Sequence, residues 1–300
     1  MTMANSTASI GSTLPLAGVG SIIVDKRGSG GSTGTPSADF HVRARDVAAV
    51  VKRLRDDLND PMVRIGLHGG SQGGWVAPLA ASLSPVDFVI VSYGLAEGVT
   101  AEDRDAMREA LRRKGHGEPV LAKARELTDL TAAIVRSRWK TGWDELDVWR
   151  EKNGHASWIA DLPDTSYTGV LMRFPRSVAQ PIGQFVGPRL DKGVSFDYEP
   201  LPILQGLKVP QLRVMGANDV SAPAASTLRI LNGLQQSGAP IDVALHQNAE
   251  HGMLVSLSDR GPPYVLAHGY LDLVAKWSAT RDLRTVPATG AWPHFERRVR

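Results

Sequence analysis

The segment Val63-Arg-Ile-Gly-Leu-His-Gly-Gly-Ser-Gln-Gly-Gly-Trp75 constrains what this chain can fold into more than any other stretch of it. A strand-like run, Val63 to His68, enters a turn of small residues with no linker, and an alanine- and leucine-rich run, Gly74 to Leu83, leaves it with helical character. Strand, tight turn and helix in direct succession lift the turn serine, Ser71, above the end of a sheet on a strained backbone. The surroundings repeat the same alternation. Ser21-Ile-Ile-Val-Asp25 is short, β-branched and bounded by glycines, which predicts a strand buried on both faces. Arg45 to Leu58 places Val47, Val50, Val51 and Leu54 at helical spacing, and Val86 to Ser92 predicts a further strand. Such alternation implies an α/β chain with a doubly wound, mostly parallel sheet.

The pattern breaks at about residue 99. From Ala101 to Gly154 the segments AEDRDAMREALRRK, PVLAKARELTDLTAAIVRSRWK and WDELDVWREKNG are charged and helix-forming, with no strand between them. Alternation returns with a strand over Gln211 to Gly216, a helix over Ala224 to Gln236, a strand over Val243 to His246 and a last helix over Tyr264 to Ser278. The expected organisation is a core of residues 1–98 and 196–280, a helical cap insertion over 99–195 and a basic C-terminal tail over 281–300. Four of the seven tryptophans, Trp139, Trp143, Trp149 and Trp158, fall in the insertion, where they either pack a small helical layer or line an apolar pocket.

Charge narrows the partners. The formal net charge of +3 comes entirely from the last twenty residues, where five arginines face Asp282 and Glu296, so residues 1–280 balance to zero. A nucleic-acid partner requires a basic stripe to neutralise phosphates, and a neutral body with a solvated basic end argues against one. The chain has no cysteine, which excludes disulfides, thiolate catalysis and cysteine-ligated metal. The apolar stretch Leu14 to Val24 is too short to span a bilayer, and no basic residue precedes it, so the reading is of a cytoplasmic chain with no membrane partner.

Two segments match Gly-x-Ser-x-Gly, one around Ser32 and one around Ser71. A nucleophile elbow requires a strand ending at the first glycine and a helix leaving just after the serine. Ser71 has both, with Gly69, Gly73 and Gly74 giving the close backbone approach that such a turn requires. Ser32 lies well beyond Asp25 and runs on into Thr-Gly-Thr-Pro, an irregular loop. A serine hydroxyl is a weak nucleophile without a base, and the base must be held in one tautomer by a carboxylate. In the order serine, acid, histidine, Asp219 follows the strand run QLRVMG in the turn GANDVSAP, and His251 follows VALH in NAEHGM, ahead of a helix. The other histidines fit less well. His246 falls in a strand run, His268 in a helical run, His41 and His68 before the serine, His116 and His155 in the insertion, and His294 in the tail.

The segments SIIVDKRGSGGSTG, LHGGSQGGWVAPLAA, VMGANDVSAP and AEHGM together resemble the bacterial α/β hydrolases related to prolyl-oligopeptidase-like serine peptidases and esterases, over roughly residues 14–98 and 196–278. The resemblance implies the α/β-hydrolase fold, triad roles for Ser71, Asp219 and His251, and the backbone N–H of Gln72 as first oxyanion donor. It also places Asp25 to Gly34 in a loop beside the active site. Members of that family carry a His-Gly segment about thirty residues before the DKRG loop, supplying the second oxyanion donor. Met1 lies only 24 residues before Asp25, so the resemblance implies either a start further upstream or the loss of that donor.

The function expected is hydrolysis of a carboxylic ester or related acyl bond through an acyl-enzyme, with no metal or organic cofactor, on a small acyl ester or a short peptide. The same triad cleaves peptides, which leaves a peptidase as the alternative. A non-catalytic binding protein of the same fold is the rival from another class, motivated by the missing oxyanion segment. A phosphate-cradling role for RGSGGSTG fails on spacing, because Thr33 stands where the third glycine belongs and no Gly-Lys-Ser/Thr follows.

Overall fold

The structure is a computed structural model, and it describes residues 11–164, 166–190, 192–258, 262–286 and 295–298. In chain order the main elements are α1 (Phe40–Leu58), β1 (Gly66–Gly70), α2 (Gly73–Leu83), β2 (Phe88–Ser92), α3 (Val99–Arg113), α4 (Glu118–Arg136), α5 (Trp143–Asn153), α6 (Tyr167–Arg173) and α7 (Arg176–Phe185). They continue with α8 (Leu201–Gly206), β3 (Gln211–Gly216), α9 (Ala224–Gln236), β4 (Ile241–His246), β5 (Leu254–Ser256), β6 (Tyr264–Leu266), α10 (Tyr270–Thr280) and β7 (Phe295–Arg298). The described residues gather into two compact units, within 1–36, 40–96 and 200–300 for the first and within 37–39 and 97–199 for the second.

The first unit is built on a sheet in the order β1-β2-β3-β4-β7, parallel from β1 through β4 and antiparallel at β7. Strict alternation along each strand gives the sheet two apolar faces. On one, Val89 and Val91 meet Val51 of α1 and Ala77 of α2, while Met215, Val243 and Leu245 meet Leu204 of α8 and Leu231 and Leu234 of α9. On the other, Phe88, Ile90, Leu212, Val214 and Ala244 pack against Tyr270, Leu273, Val274 and Trp277 of α10. Helices on both faces are what a parallel sheet requires, since neither face tolerates water. The carboxyl ends of β1, β3 and β4 thereby open on the same side of the sheet, and the loops that follow them converge there.

Several expectations are corrected. Ser21 to Asp25 forms no strand: the segment is irregular, and Ile22, Ile23 and Val24 are each more than half exposed. β-branched composition describes what fits a sheet, but a strand also needs a neighbour to take its backbone hydrogen bonds, and the described residues provide none here. The first strand of the elbow begins at Gly66 rather than Val63 and runs into the turn to Gly70. The helix expected from Tyr264 starts at Tyr270; Tyr264–Leu266 instead pairs antiparallel with Leu254–Ser256, and His268 lies in the turn before α10 rather than within a helix. The basic tail is not wholly a solvated end, because Phe295–Arg298 joins β4 with His246 opposite Phe295 and Val243 opposite Arg298.

The second unit is helical among its described residues. Met107 and Leu111 of α3, Leu121, Leu127 and Ile134 of α4, and Trp143 and Leu146 of α5 form one buried cluster with Trp149, Trp158 and Leu171. Trp143, Trp149 and Trp158 are buried in it and Trp139 packs against it, so these tryptophans serve as helical packing. A polar knot crosses the unit. The Thr168 hydroxyl donates to Asp103 Oδ2 at 2.7 Å, and the Thr131 hydroxyl lies 2.6 Å from it. Burial pushes the Asp103 carboxyl up to about 6, opposed by its hydrogen bonds from Thr168 and from the backbone of Tyr167 and Thr168. A carboxyl raised on folding stabilises in its protonated form, and that contribution is lost as pH rises through about 6. Asp103→Asn, which cannot ionise, is therefore expected to gain thermal midpoint relative to wild type between pH 5 and pH 8. A difference between the two proteins that stays flat across that range refutes the reading.

Candidate active site

β1 delivers the chain into the elbow. Ser71 sits at φ 52°, a left-handed conformation that costs a non-glycine residue about 1–3 kcal/mol. Its N–H donates to Ser92 O at 3.0 Å and its carbonyl accepts from Gly74 N–H at 2.7 Å, so the turn is clamped on both sides. Close approach enforces the glycines unequally. A Cβ on Gly69 would sit 2.3 Å from Gly73 O, and one on Gly74 would sit 2.9 Å from the Gly94 Cα. Gly73 is different: nothing lies within 4 Å of where its Cβ would be, which corrects the expectation that all three are needed for closeness. α2 leaves at Gly73, and Gln72, between nucleophile and helix, has an N–H with no protein acceptor among the described residues.

The acid and the base arrive from the next two strand ends. Asp219 follows β3, and its side chain is almost fully buried. Its Oδ1 accepts the Ala222 N–H at 2.7 Å, which leaves Oδ2 to accept from His251 Nδ1 at 2.8 Å. His251 follows β4, in a short helical turn, His251–Met253, that leads into the small β5–β6 hairpin and not into a helix. With Nδ1 protonated towards Asp219, Nε2 is the acceptor for the Ser71 hydroxyl, 3.0 Å away. Gly216 holds the acid and histidine loops together, for a Cβ there would meet Ala249 O at 2.2 Å, and the Asn218 N–H donates to Ala249 O at 3.0 Å.

The structure thus brings Ser71, Asp219, His251 and Gln72 into one constellation and leaves the rival histidines out of it. His68 lies on β1 with Nε2 2.9 Å from Ser92 Oγ, and burial drives its pKa down to about 4, so it is neutral at physiological pH. His246 is buried on β4 and accepts from Asn248 N–H through Nδ1. His116 pairs with Asp161 at 2.8 Å in the second unit. His294 lies outside the described residues. Ser32 donates to the Asp25 carbonyl at 2.8 Å in an exposed loop, and that loop is closed on itself by Gly31 N–H donating to the Asp25 carboxylate at 2.9 Å. Among the described residues no group of three or more His, Asp or Glu side chains is placed to hold a metal ion, and no helix is long and apolar enough to cross a membrane.

Two neighbours of the site escape sequence reasoning. Tyr93, one residue beyond β2, meets the His251 ring edge to face, with centroids 5.2 Å apart at 73°. Its place at the carboxyl end of a strand was the only signal. Arg43, in the first turn of α1, donates through Nη1 to Gln72 Oε1, a contact between residues 29 apart that no local pattern announces.

No protein-family profile matches the chain, and no curated protein matches it. Among solved structures it is similar to a lipase-esterase related protein from Clostridium acetobutylicum, with 14% identity, 91% of this chain and 88% of that one covered, and a TM-score of 0.46. A thermophilic esterase from Thermogutta terrifontis follows at 17% identity over 76% of this chain and 71% of that one, with a TM-score of 0.38. An acylaminoacyl peptidase from Pyrococcus horikoshii is similar at 15% identity over 70% of this chain but only 23% of its own length, with a TM-score of 0.33. The strand order, the elbow after β1 and the loops after β3 and β4 are by themselves those of an α/β-hydrolase fold.

Proposed function

We propose that this chain is a serine hydrolase that cleaves a carboxylic ester or related acyl bond. The observation that carries the reading is His251, whose two ring nitrogens lie 2.8 Å from Asp219 Oδ2 and 3.0 Å from Ser71 Oγ. In that arrangement Ser71 Oγ attacks the acyl carbon while its proton passes to His251 Nε2, and Asp219 stabilises the imidazolium. The carbonyl oxygen becomes an oxyanion at the Gln72 N–H. Collapse expels the alcohol with the proton from His251. A water molecule then gives its proton to the same nitrogen as it attacks the acyl-enzyme, and the second collapse breaks the bond to Ser71 Oγ, which takes the proton back from His251 as the acid leaves. Every step is a proton or acyl transfer among these groups and the substrate. The continuous line of hydrogen bonds from buried Asp219 through His251 to Ser71 is what favours this reading over the non-catalytic rival.

Labelling with a fluorophosphonate followed by peptide mapping tests this directly. The adduct is expected on Ser71 and not on Ser32, since only a serine bonded to a histidine base is activated at neutral pH. Label on Ser32, or equal labelling of wild type and Ser71→Ala, sinks the proposal.

A further inference from the structure

Arg43 is spent on a neutral partner. Its guanidinium donates to the amide oxygen of Gln72, the residue that follows the nucleophile, and it has no ion-pair partner among the described residues. The acid nearest on its own helix, Asp46, is engaged by Arg27, which bonds both carboxylate oxygens. Phe40, fully buried, stacks on Trp75 of α2 at 4.9 Å, and Ala44 is equally buried, so the first turn of α1 is fixed against the elbow with Arg43 between them. The cation is therefore held in place rather than swinging in solvent.

A guanidinium is an expensive donor for an amide oxygen that any neutral donor would satisfy, because partial burial strips water from a charge and the bond to a neutral group returns little of it. Arg43 suffers that desolvation, which lowers its affinity for its proton and outweighs the attraction of Asp46, and Lys26 is pushed the same way by burial and by Arg43 itself. Asp219 is taken up by His251 and the Ala222 N–H, and Asp46 by Arg27. What remains beside the oxyanion donor is positive charge with N–H groups left over, arranged as a planar fork that suits a carboxylate.

We propose that Arg43 is the specificity-determining residue of the site and selects acyl esters that carry a second, ionised carboxyl group, such as the half-esters of short dicarboxylic acids. The proposal rests on the hydrolase reading above, and its tests separate the two. The quantity to measure is the ratio of kcat/KM for 4-nitrophenyl hemiglutarate to that for 4-nitrophenyl pentanoate, with 4-carboxyphenyl pentanoate against phenyl pentanoate reporting a carboxylate on the leaving side. Arg43→Gln is expected to lower at least one of these ratios by about 10- to 100-fold, and Arg43→Lys by less, since an ammonium keeps the charge but loses the fork. In wild type the rate on the charged ester should fall with salt while that on its neutral counterpart does not, a measurement that needs no variant. Calorimetry of monoethyl glutarate with Ser71→Ala, against the Ser71→Ala/Arg43→Gln double variant, reads recognition without turnover and should show weaker binding in the latter. Both ratios unchanged in Arg43→Gln, or equal binding by the two Ser71→Ala proteins, overturns the role given to Arg43. Absence of turnover and of fluorophosphonate labelling in wild type, with the binding difference intact, instead overturns the hydrolase reading and leaves the anion site standing.

Discussion

Ser71→Ala is expected to lower kcat on 4-nitrophenyl butyrate by about 10⁴–10⁶-fold, and His251→Ala by a comparable factor, because the two act as one unit in removing a single proton. Asp219→Asn should cost about 10⁴-fold by a different route. The buried carboxylate accepts from Ala222 N–H on one oxygen and from His251 Nδ1 on the other. An asparagine keeps the first bond with its carbonyl but presents an NH₂ to the histidine, which turns the ring to the tautomer whose Nε2 carries the proton. That nitrogen then has no lone pair for the Ser71 hydroxyl. The fold is expected to survive, so the thermal midpoint of Asp219→Asn should stay close to that of wild type. The decisive comparison is the Ser71→Ala/His251→Ala double variant, expected to be no slower than either single variant. If the two losses multiplied, the residues would not share one step, and the 3.0 Å contact between them would be incidental.

The elbow was legible because everything that makes it is contiguous: strand, turn and helix occupy Gly66 to Leu83 without a break. Asp219 and His251 were legible for a related reason, since each lies a few residues past an apolar run, and in a parallel sheet the strand ends share one side. Contacts that join distant segments were not. The Arg43 bond to Gln72 and the Tyr93 ring against His251 depend on where α1 and the β2 end are carried by the packing, and composition holds no trace of that. The same limit explains the strand errors. Ile22 to Val24 has strand composition and no strand neighbour among the described residues, whereas Phe295–Arg298 has an unpromising charge pattern and the free edge of β4 beside it. Pairing partners decide strands more than propensity does. The start of α1 at Phe40, ahead of the valine pattern, has a similar cause, for Phe40 is anchored by its stacking on Trp75.

Gly69→Ala and Gly73→Ala should have opposite outcomes although both alter the same motif by one methyl group. At Gly69 the new Cβ would lie 2.3 Å from Gly73 O and 2.6 Å from the Gly73 carbonyl carbon, both backbone atoms fixed by the start of α2. No rotamer change relieves such a contact, so strand and helix must separate. Overpacking of this kind costs about 1–3 kcal/mol, and at about 2–4 °C per kcal/mol it should lower the thermal midpoint by several degrees. Because the displaced segment carries Ser71, the nucleophile also moves relative to His251, and misplacement by about 1 Å is worth about 10²-fold in rate. At Gly73 no atom lies within 4 Å of the added Cβ, its φ is not left-handed, and alanine is the better helix former by up to about 1 kcal/mol. Gly73→Ala should therefore keep or slightly raise the midpoint. Melting curves and rates on one neutral ester, taken side by side, decide the matter. If Gly69→Ala retained both stability and activity, the strand-to-helix contact would not be what holds Ser71 at φ 52°, and the strain would have to come from the clamp of Ser71 N–H on Ser92 O instead.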